Sequence, residues 1–350
     1  MITVKHSNGT LFLLVGLWAA AAWADGPGPA ASTTAQAVAP GVWLVPGGVR
    51  PDRQPDGNTV VFEAPAGLVV VDTGRHDWHR EAILALAGTQ KQPVVAIVNT
   101  HWHLDHVSGN PDLRAAFPGL HVYASDAIDG ALGGFLAQSA KDSVGYLEDS
   151  RIPAAMREDI RADLDTIRNG AALKPDVVVD RSGALELGGR TFTVHRVRDA
   201  VTAGDLWLYD ESRRLAVLGD LVTLPVPYLD TACPEGWSRA LDELAATPFE
   251  LAIPGHGAPM NRGQFDRYRS AFNAFIECAD SAAPAAGCAK LWADSVEPLL
   301  ADDDTGKTAA RQLAGYYVDL LRANGRRSPH CEAPIGQRRP SQPSPAPPGG

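Results

Sequence analysis

Short apolar runs rich in β-branched residues recur along the first part of the chain. Val42-Trp43-Leu44-Val45, Asn58 to Glu63 (NTVVFE) and Leu68 to Asp72 (LVVVD) are separated by Pro-Gly, Gly-Gly and Ala-Gly, the punctuation of strands joined by turns. The period changes at His79 to Leu86 (HREAILAL), where the spacing predicts a helix. Val94 to Asn99 (VVAIVN) then predicts a largely apolar strand, giving the strand, helix, strand order of an α/β arrangement. Residues 124–170 read as a helical insertion, with Ala, Leu and Ile three and four apart among charges (AAMREDIRADLDTIRNG). Strands return at Ala184 to Leu187, Thr191 to Val197, Asp205 to Tyr209, Leu215 to Leu218 and Leu251 to Pro254. Helices are predicted at Glu235 to Ala246, Arg267 to Cys278 and Lys307 to Ala323, the last two within a helical C-terminal region at about 264–324. No internal repeat at a fixed period of 20–50 residues is visible.

The two ends differ from this body. Leu11 to Trp23 (LFLLVGLWAAAAW) is an apolar run too short to span a bilayer comfortably, and Ala22-Trp23-Ala24 supplies a small-residue cleavage pattern. Residues 1–24 therefore read as an export signal, with an uncleaved anchor as the alternative. Residues 25–38, rich in Ala, Gly and Pro, read as a flexible leader. The body spans 39–327, and 328–350 reads as a Pro-rich tail, disordered beyond Cys331. A periplasmic or secreted protein is expected, with no integral membrane segment after signal cleavage.

At 350 residues and 45% hydrophobic the body can bury a sizeable core. The net charge of −10 and the lack of a basic stripe argue against nucleic acid or an anionic membrane surface as a partner; a small-molecule substrate is an expectation carried by the donor cluster at 101–106 and not by charge. Oligomeric state is open. Four cysteines fit an oxidising compartment. Cys278 and Cys288 are close and flank an Ala/Pro/Gly-rich stretch, so they are expected to pair, leaving Cys233 with Cys331. No C-x-x-C is present, which disfavours a cysteine zinc site.

The densest chemistry follows the strand ending at Asn99. In NTHWHLDHVSGN, His101 and His103 are two residues apart, which puts both imidazoles on one side of strand-like backbone. Asp105 and His106 lie on the turn beyond. Imidazole and carboxylate are common zinc donors, and such a cluster after an apolar strand points to metal rather than to a His-rich surface turn.

The stretch His101-Trp102-His103-Leu104-Asp105-His106 resembles the H-x-H-x-D-H motif of the metallo-β-lactamase superfamily. Three further stretches resemble that family's motifs in order: Val70-Val71-Asp72-Thr73-Gly74, Leu218-Gly219-Asp220 and Ile253-Pro254-Gly255-His256-Gly257. The resemblance covers roughly residues 40–275. Within the family, LWLYDESRRLAVLGDLVTLPVPYLD is similar to the exported branch near sulfur-oxidation and quinoprotein-relay zinc hydrolases. The resemblance implies an α+β fold, an αββα sandwich of two mixed sheets flanked by helices, with metals at one sheet edge.

Carried over residue by residue, it implies His101 and His103 on a first metal, Asp105, His106 and His256 on a second, and Asp220 between them. One position departs. The family has a further first-metal histidine where this chain has Val201, in Asp199-Ala200-Val201-Thr202-Ala203-Gly204-Asp205. Valine has no lone pair. His195, six residues earlier, is read as a packed strand histidine, with a swing into the site as the alternative. One or two zinc ions are expected, the Asp105/His106/Asp220/His256 end being the stronger. The implied function is an exported zinc hydrolase using metal-bound water, with Asp105 catalytic, to cleave an amide, thioester or ester, in the manner of a β-lactamase or glyoxalase II. The alternative is a degenerate, non-hydrolytic metal- or partner-binding member. Trp102 and Tyr228 are candidate lining residues, packing being the plainer reading of Trp102.

Overall fold

The computed structural model describes residues 34–48, 50, 52–300, 304–328 and 330–331. Thirteen strands form two sheets among these residues. The first is β1 (Gln36–Ala39), β2 (Val42–Val45), β3 (Thr59–Ala64), β4 (Gly67–Val71), β5 (Val94–Val98), β6 (His121–Ala124) and β7 (Val177–Val178), side by side in that order. The second runs β13 (Met260–Asn261), β12 (Leu251–His256), β11 (Leu215–Thr223), β10 (Asp205–Asp210), β9 (Arg190–Val197) and β8 (Gly183–Leu187). Both are mixed: β4, β5, β6 and β7 pair in parallel, as do β11 and β12.

Alternation along the strands explains the layering. Val60, Phe62, Val69 and Val71 of the first sheet meet Phe192, Leu206, Leu208 and Val217 of the second in one apolar layer. The intervening Val61, Leu68 and Val70 face outward onto Ile83 and Leu86 of α1 (Asp77–Gln90), as a two-residue period requires. The outer face of the second sheet, including Trp207 and Leu218, is covered by α7 (Pro234–Ala246), α8 (Arg262–Asp280), α9 (Ala285–Val296) and α10 (Asp304–Ala323). The result is the expected α+β sandwich, helix–sheet–sheet–helix. Between the sheets' contributions lie α2 (Leu104–Val107), α3 (Asn110–Ala116), α4 (Ala127–Gly133), α5 (Phe135–Leu147) and α6 (Ala154–Arg168).

Two differences concern the ends. Gln36 and Ala37, expected in the loose leader, pair with Leu44 and Trp43 as part of β1. Ser328, expected to open the tail, is fully buried and its hydroxyl donates to the Asp230 carbonyl. The export signal and most of the tail lie outside the described residues. Among the described residues no helix is long and apolar enough to cross a membrane.

Both disulfides pair as expected, Cys278–Cys288 and Cys233–Cys331, across 10 and 98 positions. Loop-closure entropy grows with the logarithm of loop length, so the longer link should be worth about 2 kcal/mol more. Chemical denaturation of Cys233→Ser/Cys331→Ser should therefore show a larger stability loss than Cys278→Ser/Cys288→Ser. An equal or smaller loss would contradict the loop-length account.

Candidate metal centre

The strands deliver six side chains to one edge of the sandwich. The segment after β5 brings His101 and His103, and α2 brings Asp105 and His106. Asp220 lies within β11 and His256 ends β12. All six are buried, none more than 7% exposed. β11 departs from regular pairing with β12 between Gly219 and Thr223. Gly219 has φ of +52°, and a Cβ there would stand 2.6 Å from the Cβ of Thr100, so glycine is needed both for the turn and for the approach of the first sheet.

Asp220 divides the cluster. Its Oδ1 is 3.1 Å from His106 Nε2 and 3.5 Å from His256 Nε2. Its Oδ2 is 3.5 Å from His101 Nε2 and 3.9 Å from His103 Nδ1. Asp105 Oδ2 completes one side, 3.1 Å from His256 Nε2 and 3.7 Å from His106 Nε2, while Arg75 Nη2 stands 3.8 Å from its Oδ1.

The surrounding hydrogen bonds fix which imidazole nitrogens face inward. Asp72 sits at the end of β4 with φ of +62°, an uncommon conformation for a residue with a side chain and one often found at functional sites. Its Oδ2 is 2.8 Å from His106 Nδ1 and accepts from the Thr100 hydroxyl at 2.7 Å. Having donated to Asp72, Thr100 Oγ1 accepts from His101 Nδ1 at 3.0 Å. Thr231 repeats the device: its hydroxyl donates to the Val201 carbonyl and so accepts from His103 Nε2, both at 2.9 Å. The protons of these three rings point outward. His106 Nε2, His101 Nε2 and His103 Nδ1 face Asp220, the arrangement that orients metal-binding histidines.

Electrostatics agree. Burial pushes the Asp220 carboxyl up, but His106, His256 and His101 outweigh it and hold it well below the carboxylate range. Asp105 is likewise lowered, burial being outweighed by His106, His256 and Arg75. Burial lowers His106, yet Asp220, Asp105 and Asp72 raise its pKa well above 6.5. His103 is lowered by burial and by His101. The cluster thus concentrates anionic charge around a small interior that favours a cation. His101 Nε2 and Asp220 Oδ1 are buried atoms with no hydrogen-bond partner, a costly state unless something else binds there. Two triads, His101/His106/Asp220 and Asp105/His106/His256, each have ligand atoms within 4.8 Å of one another. The residues present fit a metal.

Val201 is 1% exposed and packs in the apolar layer outside the second sheet. Asp205, whose carboxyl burial pushes up to about 7, holds the adjoining turn by accepting from the Thr202 amide and hydroxyl. His195 lies parallel on Trp207, ring centroids 3.7 Å apart, so the packed-histidine reading holds and the swing into the site does not. Trp102 stands edge-on to His103 at 4.7 Å, and Tyr228 edge-on to His256 at 5.5 Å.

Sequence reasoning missed the supporting residues. Asp72 and Thr100 do carry a signal, as polar residues ending apolar strands. Asn58 Nδ2 donates to the carbonyls of Pro254 and Gly257 at 2.9 Å, and Asn58 N donates to the Gly255 carbonyl at 2.7 Å, tying the His256 turn to the first sheet. Neither it nor Thr231 stands in a recognisable pattern.

A family model described as the metallo-beta-lactamase superfamily matches residues 53–256. A linear primary-alkylsulfatase from Pseudomonas sp. is 24% identical over 57% of this chain and 41% of its own length. A hydroxyacylglutathione hydrolase from Gloeobacter violaceus is 42% identical over 21% of this chain and 27% of its own. The chain therefore spans well under half the length of the curated relatives it matches. A metallo-beta-lactamase family protein from Thermus thermophilus superposes with a TM-score of 0.54 at 20% identity, over 83% of this chain and 95% of that one, a likeness of fold.

Proposed function

The chain belongs to the metallo-β-lactamase superfamily, and from that premise we propose that it is an exported zinc hydrolase that cleaves a carboxylic ester, thioester or amide. The observation that carries this reading is the convergence of inward-facing imidazole nitrogens on Asp220, with His101 Nε2 and Asp220 Oδ1 buried and unpartnered. His101, His103 and Asp220 Oδ2 would hold one ion, and Asp105, His106, His256 and Asp220 Oδ1 another. When bound, zinc supplies a Lewis acid and lowers the pKa of water toward about 7. Asp105 would accept the proton of the attacking water, its second oxygen steadied by Arg75. Asp72, Thr100 and Thr231 keep the imidazoles in the tautomer that leaves their inner nitrogens free.

Metal analysis by mass spectrometry, with a panel of chromogenic β-lactam, thioester, carboxylic ester and alkyl sulfate, tests the proposal. Zinc together with turnover of an ester, thioester or β-lactam supports it. Zinc-free protein with no turnover sinks it. A second reading, metal binding without hydrolysis, is favoured by one observation: valine replaces an imidazole on the His101/His103 side. Stoichiometric metal with no turnover would establish that reading.

Val201→His should raise zinc toward two per chain. The larger side chain enters a closed position and should cost about 1–3 kcal/mol of stability, so circular dichroism must accompany the metal count. A folded variant with unchanged stoichiometry would show that position 201 is not the missing ligand.

A further inference from the structure

Thr231, whose hydroxyl keys His103, lies in residues 224–233, a stretch without regular structure between β11 and α7. Such a stretch has no ladder of backbone bonds and depends on the contacts made around it. One set comes from the turn between β9 and β10. Thr231 donates to the Val201 carbonyl, the Cys233 amide donates to the Ala200 carbonyl at 2.7 Å, and a Cβ on Gly236 would stand 1.6 Å from the Asp199 carbonyl oxygen. The other set comes from the far end of the chain. In α10 the Tyr317 hydroxyl donates to Asp230 Oδ2 at 2.6 Å. Beyond α10 the Ser328 hydroxyl donates to the Asp230 carbonyl, and Cys331 is bonded to Cys233. Asp230, Tyr317 and Ser328 are buried, none more than 5% exposed.

These links grip the chain on both sides of Thr231, at Asp230 and at Cys233. The Cys331 amide donates to the Ser328 carbonyl at 3.1 Å, so the two terminal anchors belong to one turn. The side of the cluster they serve is the one with fewer donors. His103 Nδ1 faces Asp220 Oδ2 from 3.9 Å, and Val201 leaves this side with two imidazoles, so each ring must be held where its inner nitrogen can act. His106, by contrast, is keyed by Asp72 at the end of β4, within the first sheet.

We propose that the C-terminal segment is the positioning element of the His101/His103 side: Tyr317, Ser328 and Cys331 hold Thr231 in place, and Thr231 holds the His103 ring with Nδ1 inward. The inference rests on the metal reading of the cluster and not on hydrolysis. In the full-length protein as purified, NMR of the His103 ring N–H, assigned by its absence in His103→Gln, reads the bond to Thr231 directly. Exchange of that proton with water should quicken at least about tenfold in Tyr317→Phe/Ser328→Ala. After chelation, zinc titration should show the binding step that His103→Gln removes weakened about 10–100-fold in the same variant, with the other step unchanged. In a Thr231→Val background the two deletions should weaken that step no further, because they act through Thr231. Cys233→Ser/Cys331→Ser should act in the same direction. Cys278→Ser/Cys288→Ser, which opens the link between α8 and α9, should leave proton exchange and zinc unchanged. Circular dichroism checks each fold, and Ser328→Ala alone decides should the paired variants unfold. Unchanged exchange in the folded hydroxyl variant overturns the inference. Equal weakening of both zinc steps, or further weakening in the Thr231→Val background, also overturns it, since either marks a general loosening. Quickened exchange in a chain whose zinc binding is absent, or indifferent to His103→Gln, upholds the grip on His103 and overturns the metal reading of that side.

Discussion

Asp220→Ala should strip metal from both halves of the cluster and lower kcat/KM by well over about 100-fold, beyond what loss of a mere supporting residue causes. The expectation follows from the division of its carboxylate. Oδ1 faces His106 and His256, and Oδ2 faces His101 and His103. No other carboxylate stands within ion-pair reach of all four rings among the described residues. Removing it leaves the His101/His103 side with two imidazoles and no anion, because Val201 supplies none. Asp220→Asn is the sharper companion, since it keeps shape and one acceptor while removing the charge. Native mass spectrometry and steady-state kinetics check both. Retention of full zinc by the alanine variant would show that Asp220 is a neighbour of the site and not its bridge.

Gly255→Ala should be nearly as damaging without touching a donor atom. A Cβ on Gly255 would lie 2.0 Å from Asp220 Oδ1 and 2.7 Å from the carbonyl carbon of Gly219. Neither neighbour is the free end of a flexible side chain, so β11 and β12 must separate where the site depends on them. The Asn58 amide, which donates to the Gly255 carbonyl, opposes that movement. A stability loss of about 1–3 kcal/mol is expected, with zinc lost in the same variant. Gly287→Ala in α9, where a Cβ meets nothing within 4 Å, is the control and should be neutral or slightly stabilising. Thermal melts and metal counts on the two variants test this. Normal zinc in a folded Gly255→Ala protein would mean that the close approach is not required.

Much of the fold was legible because its signals are local. The unbroken apolar runs in NTVVFE and LVVVD report a sheet buried on both faces, and AAMREDIRADLDTIR reports a helix with one apolar side. Four of the six converging side chains, His101, His103, Asp105 and His106, were legible for a similar reason, being donor residues at fixed offsets beside a strand end; Asp220 and His256 were legible only through the family resemblance of the stretches around them. What escaped is carried by contacts without periodicity. The two-residue strands β7 and β13 are too short to show any pattern. Thr231 meets His103 across 128 positions, and Asn58 meets Pro254 across 196. A threonine in a loop has the same appearance in sequence whether or not it keys an imidazole. The Arg75–Asp163 pair was hidden likewise, its partners lying in the body and in the helical insertion.

The placement of donors on two sheets also sets an order of events. His106 and His256 are 150 positions apart, and contacts of such long sequence separation close late, after the entropy of a large loop has been lost. Four of the six side chains can gather while the first sheet forms, but Asp220 and His256 arrive only when the second docks. For a chain that captures zinc here, the ion cannot seed early folding; its uptake marks the moment when the two halves have met. In a refolding time course, metal capture should therefore serve as a clock for the last step of assembly.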